Sequence, residues 1–237
     1  ADGDGRYLLN LAEILYDQSE VTTLSTEQML ELVRHRAPQY DRAGDQHYNL
    51  ISALHKSVRG SDPDAALYWF CRMLDGGADP RYMARRIVRM AWEDIGLADP
   101  RAFTIANEAA QTYERLGSPE GELALAQCVL YLAIAAKSNA GYNAYKQAMA
   151  HVKQSSSMPV PMHLRNAPTQ LMKELGHGSG YRYAHDEEAG HAAGESYWPE
   201  GMQPPQFYRP TDRGLEGKIA EKLNWLAQRN AEARQKK

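Results

Sequence analysis

Apolar positions recur at three- and four-residue intervals through most of this chain, and Pro and Gly punctuate them. Residues 6–17 form a first predicted helix, and a second starts at Ser25, where Ser25 and Gln28 make a capping box ahead of Met29, Leu30, Leu32 and Val33. After a polar connector over 36–44, residues 46–59 carry Tyr48, Ile51, Leu54 and Val58 on one side of a third helix. Four pairs then announce further starts: Asp62-Pro63, Asp79-Pro80, Asp99-Pro100 and Ser118-Pro119. Each sets a capping side chain before a Pro at the first helical position. Stops follow at Gly76-Gly77, near Gly96 and at Gly117. One helix plus a tight turn per interval is the rhythm of stacked antiparallel helices. Residues 120–137 are apolar nearly all round after Leu123, which predicts a central helix or a subunit contact. Residues 138–154 give another, with Tyr142, Tyr145, Met149 and Val152 at helical spacing.

The character changes at Ser155. Pro159, Pro161 and Pro168 exclude a long helix, and a short one fits over 169–175. Residues 176–214 are rich in Gly, Pro, His and aromatic side chains, which predicts an irregular segment pinned onto the helices by its rings. A last helix over 215–229 carries Leu215, Ile219, Leu223 and Leu226, followed by a fraying tail. A short pairing near 182–183 is the only strand the pattern suggests. The predicted fold class is therefore all-α, with the long aromatic-rich segment near the C-terminus.

Composition narrows the reading. In 237 residues, 27 basic against 30 acidic side chains leave a net charge of −3, so the whole chain is not a polyanion binder, although a local basic face fits that total. Fourteen Tyr against three Phe favour surfaces that are apolar yet hydrogen-bonding. Cys71 and Cys128 sit in helical patterns and read as small core residues of a reducing compartment. The longest uncharged apolar stretch, 123–136, is shorter than the ~20 residues of a membrane span. No secretory signal is present, so a bacterial-type, cytoplasmic setting is expected.

Nucleotide-hydrolysing chemistry is not encoded here. The sequence has no G-x-x-x-x-G-K-[ST] and no apolar strand ending in paired acids, and ATP hydrolysis needs both a phosphate cradle and a metal. Yet the opening, Gly3-Asp4-Gly5-Arg6 followed by Asn10, resembles the sensor-2 segment of clamp-loader-type AAA+ ATPases. There an Arg on the first lid helix reaches the ATP phosphates held by the preceding domain. Asp4 can cap a helix, and Arg6 presents a permanent planar cation.

Longer blocks extend the resemblance. They are Arg85-Arg86-Ile87-Val88-Arg89-Met90-Ala91 with Glu93-Asp94-Ile95-Gly96-Leu97-Ala98-Asp99-Pro100; Lys137-Ser138-Asn139-Ala140; and Pro161-Met162-His163-Leu164-Arg165-Asn166-Ala167-Pro168-Thr169. Gly178-Ser179-Gly180-Tyr181-Arg182-Tyr183-Ala184-His185-Asp186, Tyr197-Trp198-Pro199-Glu200 and Phe207-Tyr208-Arg209-Pro210 continue the series. Together, over residues 3–226, the chain resembles the RarA/MgsA family of replication-associated recombination AAA+ ATPases. Ala135-Ala136, where the family pattern leads one to expect a Pro, is a departure that loosens one helix start.

The resemblance implies the back half of an ATPase, cut after its nucleotide-binding core, with the end of the lid over 1–40 and a helical tetramerisation domain over 41–237. It implies a homotetramer whose parent is a DNA-dependent ATPase at stalled replication forks, using ATP and Mg. Association with the nucleoid or the fork and a single-stranded DNA-binding protein as partner follow from it. The fragment itself would need no cofactor and do no chemistry, and Arg6 would be its one nucleotide-binding residue.

Arg81, Arg85 and Arg89 recur every four residues and are the DNA-binding candidates, extended by Lys56, Arg59, Arg72 and Lys137 if these converge. On that basis the alternative function is a helical DNA- or protein-binding adaptor. The same arginines also suit ion pairs with Glu93, Asp94 or a neighbouring helix. His177, His185, Asp186, Glu187, Glu188 and His191 have zinc-ligand chemistry but no recognised ligand spacing, so no metal site is assigned, and His163 and His185 are expected to tie down irregular backbone. Cys71, between Phe70 and Met73, is expected to be buried rather than nucleophilic.

Overall fold

The computed structural model describes residues 45–235, together with Ala12 and residues 25–27. Arg6, the helix over 6–17, Gln28 and the connector with its domain boundary near 36–45 lie outside the described residues, apart from Ala12 and Asp45. The described helices are α1 (Asp45–Arg59), α2 (Pro63–Asp75), α3 (Pro80–Met90), α4 (Arg101–Leu116), α5 (Glu122–Ile134), α6 (Ala140–Gln154), α7 (Gln170–Glu174) and α8 (Leu215–Gln235). Among the described residues there is no strand, and the fold is all-α. The chain divides into two compact units: Ala1–Val88 with Ala106–Ile134, and Arg89–Ile105 with Ala135–Lys237.

The first unit packs α1, α2 and α5 against one another. Asp62 caps α2 by accepting the Ala65 N–H at 2.9 Å, with Pro63 as first helical residue. Asp79 Oδ1 likewise takes the Arg81 N–H at 2.9 Å where α3 begins. Leu54, Val58, Phe70, Met73, Leu125 and Leu132 are fully buried, each worth roughly 1.5–3 kcal/mol of transfer free energy. Three expectations change. Tyr48 is 64% exposed, because the stripe of α1 turns inward only from Ile51. Cys71 is exposed while Cys128 is buried, since α2 offers Phe70 and Met73 to the core and the residue between points away. Ser118-Pro119 does not start a helix. The Ser118 hydroxyl is engaged by Tyr113 at 3.2 Å, the Gly121 N–H bonds back to the Gly117 carbonyl at 2.7 Å, and α5 begins at Glu122.

The second unit has a polar centre. Glu216, in the first turn of α8, has no exposed surface. Its carboxylate accepts from Ser138 Oγ at 2.6 Å, Tyr208 OH at 2.9 Å, and the Thr211 N–H and Oγ1–H at 2.9 Å each. Burial alone would raise its pKa, but these donors together hold it below the ordinary carboxylate range. Ser138 Oγ also accepts the Ala140 N–H at the start of α6, and the Ser138 N–H donates to the Asp94 carbonyl at 2.8 Å. Gly214 closes the knot at φ 55°, with no room for a Cβ against the Ala98 carbonyl oxygen.

The irregular segment is held mainly by polar clamps. Arg182 grips Glu187 through both Nε and Nη2 and donates to the Ala193 carbonyl, in place of the expected strand pairing. Asn230 Oδ1 accepts from His191 Nε2–H at 3.0 Å and from the Gly194 N–H at 2.8 Å. His163 Nε2–H donates to the Ser196 carbonyl at 2.8 Å, whereas His185 lies against the Tyr183 ring. Among the aromatic residues, Phe207 meets His151 and Trp198, while Tyr181, Tyr183 and Tyr197 stay half-exposed. With these anchors α8 runs to Gln235, well past 229, and its buried residue is Glu216 rather than Leu215 or Leu223.

Candidate functional site

Arg81, Arg85 and Arg89 all lie exposed on α3, but they serve two different hollows. Arg81 and Arg85 belong to the first unit and line a groove of about 770 Å3 with Ala84, Val88, Ala110, Glu114 and Arg115. There Arg81 Nε–H is shared by both Glu114 oxygens at 2.9 and 3.1 Å, and that bond holds the guanidinium pKa above its ordinary value. Arg85 sits 5.9 Å from the Tyr82 ring centroid. Of the other candidate cations, Arg72 pairs with Asp75 at 3.3 Å. Lys137, in the second unit, donates to the Ala135 carbonyl at 2.7 Å, and burial lowers its pKa.

Arg89 belongs to the second unit. Its Nε–H donates to Glu93 Oε2 at 2.8 Å, and its guanidinium lies 5.6 Å from the Tyr142 ring centroid. A π-helical turn follows at Ala91–Ile95, closed by the Gly96 N–H on the Ala91 carbonyl, a five-residue step. The wider turn buries Ala91, Asp94 and Ile95 and leaves Trp92 55% exposed. Such turns inside helices concentrate at functional positions. Trp92 stacks on Phe103 from the first turn of α4, with ring centroids 3.9 Å apart and planes within 4°. Arg89, Trp92, Leu97, Phe103, Tyr142 and Tyr145 line a hollow of about 420 Å3.

From that hollow an apolar stripe continues along α6. Tyr145 is 66% exposed, Met149 40% and Val152 65%. The helical spacing expected of these residues is real, and the stripe they form faces outward. Large apolar side chains contiguous on a surface mark contact sites. Trp92 and Phe103 were not singled out by sequence reasoning, although the dense block from Glu93 to Pro100 lies between them.

Among the described residues no group of three or more His, Cys, Asp or Glu side chains is placed to hold a metal ion, and no helix is long and apolar enough to cross a membrane.

Residues 60–227 match the family model described as MgsA AAA+ ATPase C terminal, and residues 1–59 match that described as AAA C-terminal domain. The replication-associated recombination protein A of Escherichia coli K12 is 51% identical over 97% of this chain and 52% of its own length. That of Coxiella burnetii is 53% identical over 97% of this chain and 53% of its own length. The ATPase WRNIP1 of Dictyostelium discoideum is 41% identical over 88% of this chain and 26% of its own length. The chain thus spans about half the length of the two bacterial relatives.

Proposed function

The chain belongs to the MgsA AAA+ ATPase C-terminal family, and on that premise we propose that it is the lid and oligomerisation portion of a DNA-dependent AAA+ ATPase acting at stalled replication forks. It brings copies into a homotetramer and does no chemistry itself. The observation that carries this reading is the exposed aromatic and apolar surface of the second unit, from the Trp92–Phe103 stack to Tyr145, Met149 and Val152 on α6. Rings and thioethers of this kind are enriched in the centres of protein interfaces. ATP and Mg belong to a nucleotide-binding core, toward which Arg6 supplies one phosphate-seeking cation. DNA and a single-stranded DNA-binding protein are partners of the whole assembly.

The adaptor reading, with Arg81, Arg85 and Arg89 on DNA, has less to draw on, since Arg81 and Arg89 already hold carboxylates. Sedimentation equilibrium of the chain at micromolar concentration tests the assembly. A tetramer is expected, and Tyr145→Glu with Met149→Glu should give smaller species with unchanged helical circular dichroism. A clean monomer of the unmodified chain defeats the proposal.

A further inference from the structure

In the first unit, α5 presents two apolar faces. Leu125, Cys128, Val129 and Leu132 are fully buried where the helix packs on α1 and α2. Half-way round the helix stand Leu123, Gln127, Leu130 and Ile134. Leu123 is 64% exposed, Ile134 is 69% exposed, Gln127 is exposed and Leu130 is half-buried. No charged side chain occurs from Leu123 to Ala136. A surface helix carries charged and polar residues on the face away from its core. This outer face carries a single Gln among apolar residues, the composition of a contact surface.

The four outer residues are spaced four, three and four apart. That is the seam of a coiled coil, with Leu123 and Leu130 at d positions and Gln127 and Ile134 at a positions. Ala124, Ala126 and Tyr131 stand beside the seam. The two alanines let a facing helix approach toward the short end of the usual interval of about 8–10 Å between axes. Charges beside a seam select the partner, and this seam has none, so nothing in it favours a chain of different sequence. Its register instead fits a copy of itself. In an antiparallel pair each a residue faces a d residue. A two-fold axis between Cys128 and Val129 sets Leu123 against the partner's Ile134, and Gln127 against the partner's Leu130. The same two contacts recur on the other side of the axis, as an isologous interface requires. The two Gln127 amides flank that axis, where one polar pair fixes the register.

We propose that α5 pairs antiparallel with α5 of a second copy through Leu123, Gln127, Leu130 and Ile134, as the second contact of the homotetramer. The inference rests on the assembly reading above but uses different residues. Used about a two-fold axis, the α6 surface of the second unit joins copies only in pairs. Four copies then require a further self-complementary patch, and α5 supplies it from the first unit.

The test is sedimentation equilibrium of the full chain at micromolar concentration with the exposed ends of the seam changed. Leu123→Lys should halve the mass, from four copies to two, and so should Ile134→Glu. Helical circular dichroism should be unchanged in both, because neither side chain belongs to the core. An equimolar mixture of the two variants should return to the tetramer. The new cation of one chain then faces the new carboxylate of the other at one end of the seam, and Leu meets Ile at the other end. A parallel pairing sets like positions together and gives no such rescue. The inference is overturned if either variant keeps the mass of the unmodified chain, or if the mixture stays at two copies. A Leu123→Lys chain that remains tetrameric but melts lower has this face covered from within its own chain, which also overturns it. In each of those cases a tetrameric unmodified chain leaves the assembly reading intact, whereas an unmodified monomer removes both.

Discussion

Ser138 Oγ donates to Glu216 Oε2 at 2.6 Å, joining residues 78 positions apart in the chain. The same hydroxyl accepts the first N–H of α6. One serine therefore ties the start of α6 to the start of α8, and a buried carboxylate is the fastening. Glu216→Gln exchanges an acceptor-only group for one that also presents donors to Ser138, Thr211 and Tyr208. Each buried donor left unsatisfied costs roughly 1–3 kcal/mol, so a clearly lower denaturant midpoint is expected. An unchanged midpoint refutes this role.

The same carboxylate sets an acid limit. Its pKa in the folded chain lies below the ordinary value of 4.5, because hydrogen-bond donors outweigh burial. A group with a depressed folded pKa contributes stability that is whole above its unfolded value and is lost as pH falls through the folded one. Stability should therefore drop on acidification below about pH 4.5, and the Glu216→Gln chain should lose less over the same interval. Urea titrations of both chains at stepped pH read the difference.

Gly214→Ala should be among the most damaging small substitutions. A methyl group there overlaps the Ala98 carbonyl and crowds Ala136, at a left-handed φ. The backbone strain alone is roughly 1–3 kcal/mol. Gly201 has a similar φ of 76° with nothing within 4 Å of a built Cβ, so Gly201→Ala carries only that part. Thermal melts should rank Gly214→Ala well below Gly201→Ala.

The two thiols should separate in a labelling experiment. Cys71 is exposed, while burial pushes the Cys128 thiol up to about 12. A maleimide should attach once to the native chain, at Cys71, and reach Cys128 only after unfolding. A native chain labelled at both positions contradicts the packing of α5.

Breaking the Arg81–Glu114 pair should matter little. Both side chains are more than half exposed, and ion pairs of that kind contribute little to stability. Arg81→Ala is expected to leave the melting temperature unchanged, and a marked drop would assign the pair a structural role that its exposure argues against.

Much of the fold was legible in local chemistry. Asp62-Pro63 and Asp79-Pro80 mark true helix starts, and Thr169 caps the short α7 by accepting the Met172 N–H. Those signals act through bonds within a few residues. What was hidden depends on distance in sequence. Nothing local tells that Ser118 spends its hydroxyl on Tyr113, or that Glu216 is the buried residue of a helix whose leucines look inward-facing. The outward stripe of α6 has the same period as a core-facing one, because periodicity fixes a face and not what covers it. The π-helical turn escaped because a single extra residue shifts phase without changing composition.

Asn230 offers one oxygen to two donors on either side of the His191–Gly194 bend. The far end of the last helix is thus a mooring post for a loop made some forty residues earlier in synthesis. That loop takes its final shape only once residue 230 has been made, and without Asn230 the His191–Gly194 bend would lose this anchor.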